Sequence, residues 1–341
     1  MTLFFEITLF SALIIIINIL FLKKNILLDI PNIEKNKKKF FFSKNVPKSL
    51  GLILTLFILL KIDYNIYEKI LILSIFFLGI LSDIKKINSP NLRFFIQAIL
   101  IILFLIISQN FIGNTRIPFV DYLLKYNLFK IFLTLICILI VINGSNFIDG
   151  LNTLCLGYYL SISIVLYFLD LNNLYQFNYM QSLISIIIIL FLFNFFGKSF
   201  LGDGGSYLLG FFFSITLIKI SNQNLDISPW FIAILLWYPA FEILFTIIRR
   251  SRKKRNPFLP DNGHFHQLLY IYLKRKFNIN NPFLNPIVAN LINIFNLFIF
   301  LLSLKFYFHT LTMVMIFFFN FLIYLVVYFL LNKNIFNKKN L

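Results

Sequence analysis

Acidic residues are scarce in this chain, with 13 Asp and Glu against 31 Lys and Arg in 341 residues. Charged residues of both signs reach only 13%, far too few for a soluble domain of this length, so most of the chain must lie in lipid. Cysteine is limited to Cys137 and Cys155. Both sit inside apolar runs, which excludes a disulfide framework and reads them as buried thiols without a metal role. Histidine occurs three times. No repeat of 20–50 residues and no Pro/Gly/Ser-rich linker divides the chain, so residues 1–341 form a single transmembrane domain.

What is present is hydrophobic. Such residues make up 60% of the chain, including 46 phenylalanines. The formal net charge of +18 could suggest nucleic acid, but the basic residues occupy short loops between apolar runs. That pattern excludes nucleic acid and fits anionic lipid headgroups. Heavy use of Ile, Phe, Asn and Lys also fits an AT-rich genome, which weakens any inference from one Asn or Lys.

A helix needs roughly 20 apolar residues to cross the hydrocarbon. Eleven candidates are found, near 2–22, 46–62, 66–82, 94–112, 127–145, 152–170, 181–197, 205–220, 229–248, 286–305 and 311–331. The first has no basic residues before it and no small-residue cleavage site, so it reads as a retained span. The fold expected is therefore all-α, a polytopic integral membrane protein with about eleven transmembrane helices. If loops alternate sides, those after odd-numbered spans carry 24 of the 31 Lys and Arg. The positive-inside rule then puts loops 23–48, 83–93, 143–152, 197–205 and 249–285 in the cytoplasm. The N-terminus is expected outside and the C-terminus in the cytoplasm.

The few acids now become informative. Asp83, Asp149, Asp203 and Asp261 all fall at the expected cytoplasmic ends or loops, and Glu242 lies inside the ninth span. A carboxylate at a helix end is often merely solvated, but ionisable groups at membrane depth are costly and mark functional candidates. "NGSNFIDGLN" (143–152) sets Asn143 and Asn146 three apart, adjacent on a helix, with Asp149 next and Gly150 as the turn. "GDGGS" (202–206) frees backbone N–H groups ahead of the eighth span, where a helix N-terminus favours an anion. Within it, Asp203 is a hard oxygen ligand suited to Mg²⁺. "RRSRKKRNPFLPDNGHFHQ" (249–267) joins a basic stop-transfer run to Asp261, His264 and His266. Zinc is disfavoured there, because the cysteines are elsewhere and no helical histidine pair exists. His309 reads as polar surface. Basic residues, a Mg²⁺-type carboxylate and a glycine turn together describe a pyrophosphate site at headgroup depth, so the second substrate should be a lipid phosphate.

These segments resemble the polyprenyl-phosphate N-acetylhexosamine-1-phosphate transferase family. Its bacterial members initiate O-antigen and enterobacterial common antigen synthesis, and it includes the phospho-MurNAc-pentapeptide translocases. "GILSD" (79–83) with "SPNLRFFIQ" (89–97) is similar to the family's Gly-x-x-Asp-Asp stretch. "NGSNFIDGLNTL" is similar to its Asn-x-x-Asn-x-x-Asp-Gly-Leu-Asp-Gly-Leu motif. "NFFGKSFLGDGGSYLLG" (194–210) resembles Asn…Lys-x-Phe-x-Gly-Asp-x-Gly-Ser-x-x-Leu-Gly most closely. "PAFEILFTIIRR" (239–250) and "PFLPDNGHFHQLL" (257–269) resemble the family's Pro-x-x-Asp/Glu…Arg-Arg and Asp-x-x-His-x-His-His motifs, and "DIPN" (29–32) and "PKSLG" (47–51) extend the likeness.

The resemblance implies transfer of a sugar 1-phosphate from a UDP-N-acetyl sugar to undecaprenyl phosphate, releasing UMP, at the cytoplasmic face of a bacterial inner membrane. It implies Mg²⁺, with Mn²⁺ as an alternative, held by Asp203 with Asn146. It further implies catalytic roles for Asp83, Asp149, His264 and His266, and substrate contacts from Asn146, Asn194, Lys198 and Asp261. Asp83 would orient the attacking lipid phosphate or take its proton. Three departures each remove a charge: Ser82 for the first Asp, Asn152 for the last Asp of its motif, and Gln267 for the last His. With Asp83, Asp149 and Asp203 kept, an active variant enzyme is the favoured reading. The single-spaced "HFH" places it nearer the O-antigen type initiators, with UDP-GlcNAc or a deoxy N-acetyl sugar as donor. Two alternatives are a non-catalytic binder of lipid-linked sugar and a multi-span transporter. The transporter would need polar residues near the bilayer midplane rather than at one interface.

Overall fold

A computed structural model describes residues 2–29, 45–171, 179–252, 263–278 and 281–336. Asp261 and most of the basic run after Arg252 lie outside these residues. Among the described residues the chain forms fourteen helices and one two-residue antiparallel pairing of β1 (Leu28–Asp29) with β2 (Val46–Pro47). The fourteen helices are α1 (Thr2–Lys24), α2 (Leu50–Lys61), α3 (Ile66–Asp83), α4 (Pro90–Ser108), α5 (Pro118–Leu123), α6 (Asn127–Ile148) and α7 (Leu154–Leu171), then α8 (Met180–Phe195), α9 (Gly202–Gln223), α10 (Pro229–Leu235), α11 (Trp237–Arg252), α12 (Phe265–Phe277), α13 (Leu284–Leu304) and α14 (Thr310–Phe336).

Each of the eleven expected segments meets a helix, but their lengths correct the span count. Among the described residues, six helices are long and apolar enough to cross a membrane: α1, α4, α6, α9, α13 and α14. A seventh arises if α10 and α11 form one span bent by 72°. Helices α2, α7 and α8 are apolar but shorter. α3 carries Glu68, Lys69 and Asp83 within 18 residues. The protein is thus a polytopic membrane protein with a mixture of long and short apolar helices.

Local chemistry explains the helix ends. Asn65 caps α3 by accepting from Glu68 N while the Glu68 side chain takes the Asn65 N–H, a reciprocal capping box. Ser89 and Pro90 start α4, where the missing proline N–H costs nothing, and Gln109 ends it at a φ of 52°. The break between α10 and α11 would leave polar backbone in lipid. Tyr158 satisfies it from α7, donating to Leu235 O at 2.7 Å and accepting from Tyr238 N at 3.3 Å.

The centre of the bundle is α9. Its best 18-residue window has a mean hydropathy of only 1.3, yet 89% of it is buried, because α2, α3 and α6 pack around it. Close approach depends on glycine. A Cβ on Gly79 would come 2.3 Å from Gly204 Cα, and one on Gly51 would come 2.7 Å from Gly205 Cα. Small residues let helix backbones meet in this way inside a membrane. "GDGGS" therefore forms the first turn of α9 and not a loop before it, since glycine's poor helix propensity is outweighed by this packing. Its first N–H groups still lack intrahelical acceptors.

Candidate functional site

The expected carboxylates come together at one end of the bundle. Asp83 closes α3, Asp149 caps the C-terminus of α6, and Asp203 lies in the first turn of α9. Lys48, from the turn before α2, reaches Asp83 Oδ1 at 2.6 Å. The N–H of Gly204 points at the other Asp83 oxygen at 3.4 Å, so the positive end of α9 faces a carboxylate. Asp83 stands just beyond the 66–82 apolar run. Burial first, and then the charge of Asp203, push its carboxyl up to about 6 despite Lys48. Gly202 adopts a φ of +76°, and a Cβ there would meet Asp83 Oδ2 at 2.7 Å, so only glycine fits.

Asp203 is held from three sides. Ser82 donates to its Oδ2 at 2.5 Å, Arg93 Nη1 lies 3.3 Å from the same oxygen, and Asn146 Nδ2 donates to Oδ1 at 2.9 Å. Arg93 also donates to Ser82 Oγ and to Tyr207 OH. The hydroxyl standing where the family has an acid therefore links a cation to the next carboxylate. Asn146 additionally donates to Ser206 Oγ at 3.2 Å. Its neighbour on the same helix face, Asn143, donates to Gln97 Oε1 at 2.8 Å. Asp149, partly accessible, accepts no side-chain hydrogen bond among the described residues. Surrounding protein first, and then Asp203 and Asp83, raise its carboxyl well above the ordinary range.

Asn194 is nearly fully buried and ties three segments together. Its Oδ1 accepts from Thr153 N at 2.5 Å, its Nδ2 donates to Ser199 O at 3.0 Å, and its carbonyl accepts from Asn152 Nδ2 at 3.0 Å. Lys198 is exposed beside this junction. The chain turns at Gly150 as expected, and the left-handed residue of that loop is Thr153, whose φ is +69°. Gly150 is instead small because a Cβ there would meet His266 Nε2 at 2.6 Å. The Asp149 loop thus lies directly against the histidine motif.

In that motif His264 precedes α12 and His266 sits in its first turn, with their rings stacked at 5.6 Å and 15°. Glu242 Oε1 lies 3.0 Å from His264 Nδ1. Phe147 from α6 packs edge-on to His264 at 5.1 Å, while Arg250 stands over the Phe147 ring. His266 is fully buried, and neither ring nitrogen has a hydrogen-bond partner among the described residues. His309 is exposed, away from this cluster. Gln267 keeps a buried Oε1 without a partner among the described residues.

Sequence reasoning missed several members. Lys48 and Arg93 sat in quoted motifs without a role, and only the fold brings them to carboxylates. The asparagines of α13 were also passed over. Asn285 Oδ1 accepts from Asn152 N at 2.8 Å, Asn293 Nδ2 donates to Thr153 O at 3.0 Å, and Asn296 Oδ1 accepts from Trp237 Nε1 at 2.9 Å. Their spacing of eight and three residues marks one helix face, the signal that could have found them.

Among the described residues no three His, Cys, Asp or Glu side chains form a closed metal cluster. The donor set suits a different kind of site. Asp203, Asp149 and the Asn146 amide oxygen are hard oxygens, and Mg²⁺ commonly takes one or two carboxylates with substrate phosphates completing its shell. The histidines belong to a separate cluster built around Glu242. The residues fit Mg²⁺ at Asp203.

The helical bundle thus gathers three acids, two cations and a histidine pair at one end. Sequence comparison finds a likeness over part of the chain. The model of glycosyl transferase family 4 matches residues 65–221, which hold Asp83, Asn146, Asp149, Asn194 and Asp203. An undecaprenyl-phosphate alpha-N-acetylglucosaminyl 1-phosphate transferase of Salmonella typhi is 28% identical over 205 residues, covering 57% of this chain and 54% of the relative. One of the same description from Escherichia coli K12 is 29% identical over 224 residues, 61% of this chain and 60% of the relative. A Thermotoga maritima protein of that description is 38% identical over 71 residues, 21% of this chain and 23% of the relative. The chain spans little more than half the length of the first of these relatives. The motif resemblance and the comparisons agree on the family.

Proposed function

We propose that this protein transfers an N-acetylhexosamine 1-phosphate from a UDP-sugar to undecaprenyl phosphate, releasing UMP, at the cytoplasmic face of a bacterial inner membrane. The observation that carries the reading is the joined network of Lys48, Asp83, Ser82, Arg93, Asp203 and Asn146 where the ends of α2, α3, α4, α6 and α9 meet. In the transfer, an oxygen of the lipid phosphate bonds to the phosphorus that carries the sugar. The bond from that phosphorus to the bridging oxygen of UDP breaks, and the electron pair leaves on UMP.

Asp203 and Asn146 would hold Mg²⁺, which supplies charge neutralisation on the diphosphate when bound. The protein's own groups do the positioning. Lys48 and Arg93 would donate to phosphate oxygens as charge shifts in the transition state. A phosphate monoester is already largely ionised at neutral pH, since its second pKa is about 6. The demand on Asp83 is therefore orientation of the attacking oxygen more than proton removal. Asp149, next to the histidine motif, links the diphosphate end to His264 and His266 at the sugar end. Exposed Lys198 would contact the substrate, and Asn194 acts by fixing the loops that carry Thr153 and Ser199. Asp261 completes the sugar-phosphate end in this reading.

The charge split among loops supports a cytoplasmic site and an external N-terminus, with up to eleven helices embedded. The transporter alternative draws no support from the bent pair of α10 and α11, because Tyr158 fills its gap. The deciding assay incubates membranes bearing the protein with undecaprenyl phosphate and UDP-N-acetyl sugars, with and without Mg²⁺, and measures UMP. Release with one donor, dependent on both lipid and metal, is the expected result. Silence with every donor tried would leave the lipid-linked-sugar binding reading.

A further inference from the structure

Glu242 is 1% exposed, and the surrounding groups use its carboxylate completely. Oε1 faces His264 Nδ1 at 3.0 Å and accepts from Phe265 N at 3.2 Å, while Oε2 accepts from Tyr324 OH at 2.6 Å. Three elements meet here: α11 supplies the acid, the start of α12 the imidazole and amide, and α14 the phenol. Tyr324 and Glu242 both lie beyond the region matched by the family model.

We infer that Glu242 and Tyr324 are positioning residues that fix the tautomer and ring orientation of His264 for the transfer proposed above, on which reading this inference rests. An ionised carboxylate is an acceptor only, so the nitrogen facing it must be the donor. The neutral imidazole therefore carries its proton on Nδ1, and Nε2, on the opposite edge of the ring, is the acceptor. Tyr324 holds the second carboxylate oxygen and thereby stops Glu242 from rotating away. Phe147 closes one side of the ring and His266 stacks on its face, which leaves the imidazole a single orientation. Such outer partners commonly set which nitrogen of a histidine does the work. The arrangement thus fixes which nitrogen of His264 carries the proton.

The chain's three histidines make the test tractable. Histidine-selective ¹⁵N labelling in detergent resolves His264, His266 and His309, each assigned by its own substitution. Wild type should show His264 as the Nδ1–H tautomer, and Glu242→Met should lose that preference. Glu242→Gln, which keeps an acceptor oxygen, should retain it. UMP release gives the second readout. Glu242→Met should lower kcat about as much as His264→Ala, and the double variant should be no slower than His264→Ala alone. Tyr324→Phe, the milder change, should lower kcat about fivefold with KM little altered. An Nε2–H tautomer in wild type would overturn the inference, as would multiplying losses in the double variant, which would mean that Glu242 acts on folding. If wild type releases no UMP, the transferase reading fails and the tautomer measurement alone decides this proposal.

Discussion

Ser82 donates its hydroxyl proton to Asp203 Oδ2 across 2.5 Å, although 121 positions separate them in the chain. Arg93 donates to the same hydroxyl. A serine in place of an acid thus keeps the connection between α3 and α9 while one negative charge is lost.

This relationship predicts unequal effects within "SD". Ser82→Ala should slow UMP release about tenfold or less, roughly 1.4 kcal/mol of barrier, because Arg93 still lies beside Asp203. Asp83→Asn should be far more damaging, since it removes the partner of Lys48 and the anion facing Gly204. Ser82→Asp should be tolerated, with Arg93 as a ready counter-ion. Steady-state rates of purified variants at matched Mg²⁺ decide it, and an active Asp83→Asn enzyme would remove Asp83 from the mechanism.

Metal dependence should follow Asp203. Asp203→Ala is expected to abolish turnover and to weaken Mg²⁺ binding measured by calorimetry, while the detergent-purified protein stays monodisperse. Chelation of wild type should silence it, and added Mg²⁺ should restore it. Near-normal activity of Asp203→Ala at limiting Mg²⁺ would refute the assignment.

Helix contact through glycine predicts a stability defect without any chemical change. Gly79→Val places branched carbon where even one Cβ would be 2.3 Å from Gly204 Cα. Overpacking of this kind commonly costs about 1–3 kcal/mol. Thermal unfolding in detergent should fall measurably, and Gly51→Val should behave alike against Gly205. An unchanged Tm in both would show that α9 is not held by these contacts.

His266 predicts an acid limit to stability. Burial is the main reason its pKa is lowered from 6.5 to about 3. The unfolded chain takes up a proton here that the folded chain refuses. The contribution is therefore complete above about pH 6.5 and is lost as pH falls toward 3, at up to about 1.4 kcal/mol per pH unit. His266→Gln should flatten that slope in unfolding measured between pH 4 and 7. An identical slope in the variant would place the acid sensitivity elsewhere.

Topology can be read at two pairs of positions. Reporter fusions at Asp83 and Lys198 should report cytoplasmic, and those at Gly113 and Asn222 external. Gly113 N donates to Asn222 Oδ1 at 3.2 Å, so these two loops share one face whatever the orientation. Opposite readings from Gly113 and Asn222 would contradict the fold as well as the charge rule.

Much of the helical order was legible because apolar runs in lipid leave the backbone few options. The carboxylates were legible too, because an acid stands out in a chain with so few. The number of long spans was not legible. Hydropathy measures how apolar a segment is and not what it faces, and α9 has the lowest value among the six long helices while being the most buried. Lys48 and Arg93 escaped because their meaning lies in distances across the bundle. The α13 asparagines escaped because abundance of Asn hid a one-sided pattern. Glu242 was recognised as unusual, but its service to His264 depends on Tyr324, 82 positions further along the chain.

The contact of Gly79 with Gly204 has a wider consequence. Asp83 lies one helical turn beyond Gly79, and Asp203 is the residue before Gly204. The crossing point of α3 and α9 thus acts as a fixed ruler between two acids of the site. Loops on this face can lengthen, shorten or change sequence without altering that spacing. Under the proposed transfer, donor preference is free to drift through the loops and the histidine segment, while the spacing between the two acids stays set by two residues that have no side chain at all.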